Sequence, residues 1–231
     1  MLDLPPSLII EHTLLRPTAQ REQILQVCEE AVEYGFAAVC IPPVYVSPAA
    51  EQLRGSEVRV CTVVGFPAGF ECTPTKVYAV QQALRAGADE IDMVVQQGWI
   101  QDERYAEIEA EIRQVKQACG SATLKVIIEC CNLNTAQKRL TAARIADAGA
   151  DYVKTSSGTA SGGATAADVK LLHDAVGGRI KIKAAGGIRT LEQLEDMYRA
   201  GASRIGTSCA IDIVAQWLKI DAFAESIELD G

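Results

Sequence analysis

An eight-stranded parallel barrel wrapped by helices, a (β/α)8 barrel, is the architecture that this 231-residue sequence predicts. Three observations point to it. First, β-type apolar runs alternate with helical patterns along the chain, giving eight strand candidates and eight helix candidates joined by short connections. Second, runs such as FAAVCIPP are continuously apolar, as strands buried on both faces require. Third, the tripeptide AGA recurs in RAGADEIDM, DAGADYVKT and RAGASRIGT, each time as helix end, glycine, small residue and strand. That pattern suits a left-handed helix cap followed by a tight turn. An open doubly wound sheet is the runner-up, disfavoured because no GxGxxG follows the first strand. A single domain over residues 1–231, with its site at the carboxyl ends of the strands, is the expected organisation.

Taken in order, LIIEHTLLRP is a β-type run ended by Pro17, and Thr18 is the expected cap of a helix that Gly35 stops. FAAVCIPP is the second strand, followed by a short helix from Ala49 to Arg54 that Gly55 stops. VRVCTVVGFP is the third strand, and TPTKVYAVQQALRAG is a helix with Pro74 in its first turn. DEIDMVV, an amphipathic helix over 103–118 and the strand LKVIIE come next. A helix over 135–148 leads to DYVKTS, a helix over 164–176 to RIKIKAAGG, and a helix over 191–200 to SRIGTS. The last helix begins at about Ile211.

Composition narrows the function. The net charge of -8 argues against nucleic acid or an anionic membrane as partner, so any phosphate must be held by local geometry. Aromatic residues make up only 5%, which does not suit a base-stacking surface. The eight cysteines form no disulfide framework, and Cys40, Cys61 and Cys130 lie inside β-type runs. A reduced, cytoplasmic chain is expected, without a signal segment or an apolar run of spanning length.

Polar residues at the expected strand ends carry the chemistry. The fourth strand has Asp92, the sixth Lys154, the seventh Lys183, and the eighth ends in Gly206-Thr207-Ser208. A lone lysine at a strand end usually reaches solvent, and a lone buried aspartate usually has an ordinary hydrogen-bond partner. Two lysines and an acid converging on one barrel mouth suit an amine nucleophile kept neutral by a second cation, with an acid to move protons. That is Schiff-base chemistry on a carbonyl compound. Gly186-Gly187 and Gly206-Thr207-Ser208 supply loop N–H groups and a helix N-terminus for a phosphate, and Gly158 adds another.

DEIDMVV, ADYVKTSSG followed by GGAT, KIKAAGGIRT and SRIGTS resemble the motifs of the deoxyribose-phosphate aldolases, as do EHTLL, VVGFPAG and LKVIIE. The resemblance runs from about Ile10 to Ser208. It implies a class I lyase needing neither cofactor nor metal, cleaving 2-deoxy-D-ribose 5-phosphate reversibly to D-glyceraldehyde 3-phosphate and acetaldehyde. By the same resemblance Lys154 matches the Schiff-base lysine, Lys183 the lysine that perturbs it, and Asp92 the proton-relay acid. Gly186, Gly187 and Ser208 match phosphate contacts. The expected partners are small phosphosugars and aldehydes, and a homodimer is compatible with the reading.

Several positions depart from the family pattern. Cys209-Ala210 stands for Ser-Gly, removing a hydroxyl expected beside the phosphate, and Glu11 stands for Asp. CIPP replaces a strand end with Asn-Pro, Gln96-Gln97 occupies a place where Asn is common, and no C-terminal tyrosine follows the last helix. The competing readings are another lysine-dependent barrel enzyme of transaldolase type, a phosphosugar isomerase, and a phosphosugar-binding barrel without turnover. An isomerase would need a carboxylate or imidazole base rather than two lysines.

Overall fold

Eight parallel strands close on themselves in sequence order: β1 (Ile10–Thr13), β2 (Ala38–Ile41), β3 (Arg59–Val64), β4 (Glu90–Val94), β5 (Thr123–Ile127), β6 (Tyr152–Lys154), β7 (Lys181–Ala185) and β8 (Arg204–Thr207). β8 pairs with β1, so the barrel has no free edge. This computed structural model describes residues 2–229, and side chains as far as residue 220; the position of any C-terminal tyrosine lies outside the described residues. No helix among the described residues is long and apolar enough to cross a membrane.

The expected (β/α)8 barrel is therefore the observed fold, and its helices pack outside the strands. They are α1 (Arg21–Tyr34), α2 (Val46–Gln52), α3 (Thr73–Arg85), α4 (Gln97–Gln101), α5 (Tyr105–Cys119), α6 (Thr135–Asp147), α7 (Ala166–Val176), α8 (Leu191–Arg199) and α9 (Ala210–Leu229). Helix starts use the polar caps that the sequence supplies. Asn134, Thr165 and Thr190 each accept the N–H three residues on, so donors at the starts of α6, α7 and α8 are satisfied. The apolar outer faces of the strands meet the inner faces of the helices, with Ile91, Val126, Val153, Ile182 and Ile205 fully or almost fully buried.

Local differences from expectation have local causes. Thr18 does not cap α1. Ala19 N–H closes a turn on Arg16 O at 3.0 Å, and the helix begins after Gln20, whose N–H donates to Gln23 at 3.1 Å. α2 starts at Val46, three residues earlier than expected, behind a 3-10 turn at Pro43–Tyr45. The short α4 was not expected at all. It ends at Gln101, and Glu103, with a left-handed φ of 56°, turns the chain toward α5.

One buried ion pair steadies the carboxyl end of β4 from outside the barrel. Lys76 of α3 lies 3.0 Å from Glu111 of α5 and donates to Val94 O at 2.9 Å, with both side chains essentially inaccessible. A buried pair is tolerable only when its donors and acceptors are met, as they are here.

Candidate active site

Inside the barrel the usual layers of branched apolar side chains give way to charge. Glu11 (β1), Asp92 (β4), Lys125 (β5), Lys154 (β6) and Lys183 (β7) are all buried to 2% exposure or less. Parallel register brings them level. Asp92 pairs with Lys125 across β4 and β5, and Lys154 with Lys183 across β6 and β7. Because side chains alternate along each strand, those register partners point to one face together.

Asp92 is the hub. Its Oδ2 accepts from Lys154 Nζ and from Lys183 Nζ, each at 2.6 Å, and its Oδ1 accepts from Lys125 Nζ at 3.1 Å. The Cys61 thiol also reaches Asp92 Oδ1, at 3.3 Å. Below Asp92 the network continues. Lys183 donates to Glu11 Oε2, and Lys125 pairs with Glu11 Oε1 at 3.2 Å and with Glu90. Arg204, on β8, closes it with contacts of 3.4 Å to Glu11 and 3.5 Å to Glu90.

Burial alone would raise the carboxyl of Asp92. The ammonium groups of Lys125, Lys154 and Lys183 outweigh it and hold the acid well below the usual carboxylate range. Burial likewise opposes ionisation of Glu11, yet Lys125 and Lys183 keep it below its ordinary value. Burial disfavours the charge on Lys183, but Asp92 and Glu11 more than offset that and push its pKa above the ordinary lysine value. Lys183 is thus held as a cation. The sequence suggested an amine kept neutral by a second cation; the structure sets one Asp92 oxygen between the two amines.

Of these charged groups, only Lys154 borders the open cavity at the carboxyl end of the barrel. That cavity is about 740 Å³ and is lined also by Ser157, Gly158, Gly186, Gly187 and Ser208. Asp92 and Lys183 lie beneath its floor rather than in its wall. Gly158, Gly186, Gly187 and Ser208 are therefore brought together around one space with Lys154, as expected. Cys209 is not. Its side chain does not line the cavity and its N–H turns back to Thr207 Oγ1 at 2.9 Å, so the missing hydroxyl noted at this position does not face the cavity.

Two features of the mouth were not read from the sequence. Glu129, just past β5, sits in a left-handed conformation (φ 45°), which costs a non-glycine residue roughly 1–2 kcal/mol. The strain sets its buried carboxylate to accept both the N–H and the hydroxyl of Ser157, and the Ser157 hydroxyl in turn lies 2.9 Å from Thr159 Oγ1. The loop after β6 is thereby fastened beside Lys154. Gly163 in that loop packs backbone on backbone against Gly186, where a Cβ would come within 2.2 Å of Gly186 O. Lys125, Glu90 and Arg204 were also missed, and Glu11 was noticed only as a departure. A lysine inside the apolar run LKVIIE was the one available signal for Lys125.

Glu11, Cys40, Cys61 and Asp92 are spaced to ligate a cation, their ligand atoms lying within 4.8 Å of one another. Lys125, Lys154 and Lys183 already occupy the carboxylate oxygens, and three ammonium groups would repel a metal there. What the arrangement can do is present one amine, with an ionised acid against it, to a carbonyl compound in a cavity ringed by glycine loops.

Comparison with known proteins agrees with that chemistry. The chain is 47% identical over 213 residues to the deoxyribose-phosphate aldolase of Staphylococcus carnosus, covering 92% of this chain and 96% of the relative. It is 49% identical over 207 residues to that of Clostridium kluyveri, covering 89% and 95%. Among solved structures, a tetrameric deoxyribose phosphate aldolase from Aeropyrum pernix superposes with a TM-score of 0.86 at 31% identity, covering 95% of this chain and 94% of the other. The DeoC/LacD family aldolase model matches residues 10–216, which include every member of the buried charge network, and the chain belongs to that family of aldolases.

Proposed function

We propose that this enzyme is a deoxyribose-phosphate aldolase that cleaves 2-deoxy-D-ribose 5-phosphate to D-glyceraldehyde 3-phosphate and acetaldehyde, reversibly, through a Schiff base on Lys154. The single observation that carries the assignment is that Lys154 alone among the buried amines of the network borders the cavity, with Asp92 at 2.6 Å. Its amine adds to the C1 carbonyl of the open-chain sugar, and loss of water leaves a protonated imine. Deprotonation of the C3 hydroxyl then breaks the C2–C3 bond, the electron pair passing into the imine to form an enamine while C3 leaves as the aldehyde of glyceraldehyde 3-phosphate. Protonation at C2 and hydrolysis release acetaldehyde and restore the amine. Asp92 is the proposed proton-relay acid, reached from the cavity through Lys154, which donates to it at 2.6 Å, and Lys183 is the proposed cation beside the imine nitrogen.

Gly158, Gly186, Gly187 and Ser208 are the proposed phosphate contacts. Loop N–H groups can bind an anion without a basic surface, which fits a chain with a net charge of -8. Eight free cysteines support a reducing, cytoplasmic setting. A homodimer is the proposed assembly, which sedimentation would test. The decisive experiment treats the protein with acetaldehyde and borohydride and locates the reduced adduct by mass spectrometry, alongside a steady-state assay on deoxyribose 5-phosphate. An adduct on Lys154 with turnover is expected. An adduct mainly on Lys183, or none on Lys154, rejects the assignment.

A further inference from the structure

We infer that Arg204 and Glu90, at the amino-terminal end of the barrel, are positioning residues that bias the charge state of the Lys154 amine from below. The inference rests on the reading of Lys154 as the nucleophile. Neither residue reaches the cavity at the carboxyl end. Each is tied to it by unbroken contacts: Arg204 to Glu11 and Glu90, Glu90 and Glu11 to Lys125, Lys125 to Asp92, and Asp92 to Lys154.

The charge count supplies the mechanism. Three carboxylates (Glu11, Glu90 and Asp92) face four cations (Lys125, Lys154, Lys183 and Arg204), so the cluster carries 4 − 3 = one positive charge when all are ionised. It becomes neutral when one lysine gives up its proton. Lys183 is held charged by Asp92 and Glu11, and Lys125 by Asp92, Glu11 and Glu90, although burial opposes both. The arginine cannot deprotonate. Lys154 is the member at the open end with a single carboxylate neighbour, Asp92, which it shares with two other lysines. An uncompensated buried charge is expensive, so the surplus bears on the amine at the open end, and a change in the charge beneath it changes how readily that amine gives up its proton.

The thiols of Cys40 and Cys61 face the cluster from β2 and β3; burial raises Cys61, the hydrogen bond with Cys61 lowers Cys40, and both are counted in the thiol form. Arg59 lies 3.9 Å from Glu90, but its side chain is 58% exposed and its charge is screened by solvent. Arg204, only 14% exposed, is therefore the fixed cation that makes three positive charges balance three negative ones without Lys154. Charged groups at the amino-terminal end of such a barrel ordinarily serve stability. The sign of their effect on Lys154 separates the two roles.

Arg204→Met removes the cation and keeps most of the stem; Glu90→Gln removes an acid and keeps the shape. The first should move the acidic limb of the kcat/KM profile to higher pH by about one unit, a roughly tenfold fall in neutral amine at a fixed pH below that limb. The second should move it to lower pH, with KM changed less than twofold in either case, and Arg204→Lys should restore the wild-type limb. In parallel, the pH dependence of reductive methylation of Lys154 by formaldehyde and borohydride, read by mass spectrometry, reports the same amine without turnover. Displacements of opposite sign support the inference. Displacements of the same sign, or unmoved limbs and labelling midpoints in folded variants, overturn it. Should Arg204→Met fail to fold, the direction in Glu90→Gln decides alone. Opposite labelling displacements in a protein that does not cleave deoxyribose 5-phosphate would reject the proposed reaction while leaving this inference standing.

Discussion

Asp92 and Lys154 meet at 2.6 Å although 62 residues separate them in sequence, and the lysine stands between that buried acid and the open cavity. Asp92→Asn keeps the shape but removes the ionised group. Losing general acid–base help typically costs about a hundredfold or more in rate, so kcat should fall by that order with KM little changed. A loss under threefold in steady-state assays would make Asp92 a structural residue only.

Lys183→Met tests the second cation. At an effective dielectric near 20, two unit charges about 5 Å apart repel by roughly 3 kcal/mol. Asp92 Oδ2, in contact with both amines, offsets part of that repulsion. The acidic limb of the kcat/KM profile should still move to higher pH, by less than the bare repulsion implies. Lower activity with an unmoved limb would show Lys183 to be a proton donor or a mere prop for Glu11.

Acid stability should follow Asp92 and Glu11. Both carboxyls titrate lower in the folded protein than their ordinary values. Groups depressed in this way contribute stability that is fully present above the unfolded values, about 3.9 for Asp and 4.3 for Glu, and is lost as pH falls through the folded ones. Urea melts between pH 3 and 6 should show that decline starting near pH 4. The decline should be shallower in Asp92→Asn; an equally steep one would place the acid sensitivity elsewhere.

The glycine loops around the cavity, proposed to hold phosphate, make a contrast between neighbours. Ser208 lines the cavity and Cys209 does not. Ser208→Ala should raise KM for deoxyribose 5-phosphate roughly tenfold or more, the equivalent of one hydrogen bond to a charged group, and leave unphosphorylated deoxyribose nearly unaffected. Cys209→Ser should change neither substrate's KM by more than twofold. A selective KM gain in Cys209→Ser would mean that its side chain does reach the phosphate.

Glu129→Gln probes the strained anchor. It keeps an acceptor for the Ser157 N–H but loses the charged acceptor of both its donors. The loop carrying Ser157, Gly158 and Thr159 should loosen, seen as faster amide exchange there with exchange in β7 unchanged. Unaltered exchange in that loop would contradict the anchoring role.

The barrel and the residues proposed to carry its chemistry were legible in the sequence for definite reasons. Apolar runs, glycine stops and capping residues act over a few positions, so they mark β2 or α8 without knowledge of the rest of the chain. Lys154, Lys183 and Asp92 stood out because a charged residue in a strand contradicts its own surroundings. Gly158, Gly186, Gly187 and Ser208 were visible as turn chemistry at strand ends. The same local reasoning misplaced the start of α1 and missed α4, because a cap is decided by which donor its side chain or turn actually meets.

What only the tertiary structure decided is where the charges go once the barrel closes. Strand register set Asp92 beside Lys125, and closure of β8 on β1 put Arg204 of one end of the chain against Glu11 of the other, 193 residues away. No sequence pattern encodes a pairing of that span, since the identity of each partner depends on shear and on which face every strand turns inward. Periodicity determined that this chain would form a barrel, and a charged residue at the end of an apolar run that a lysine would stand at its mouth. The balance of three acids against four cations beneath that lysine is a property of the closed fold, because opposite charges compensate one another only at the short distances that burial and register impose.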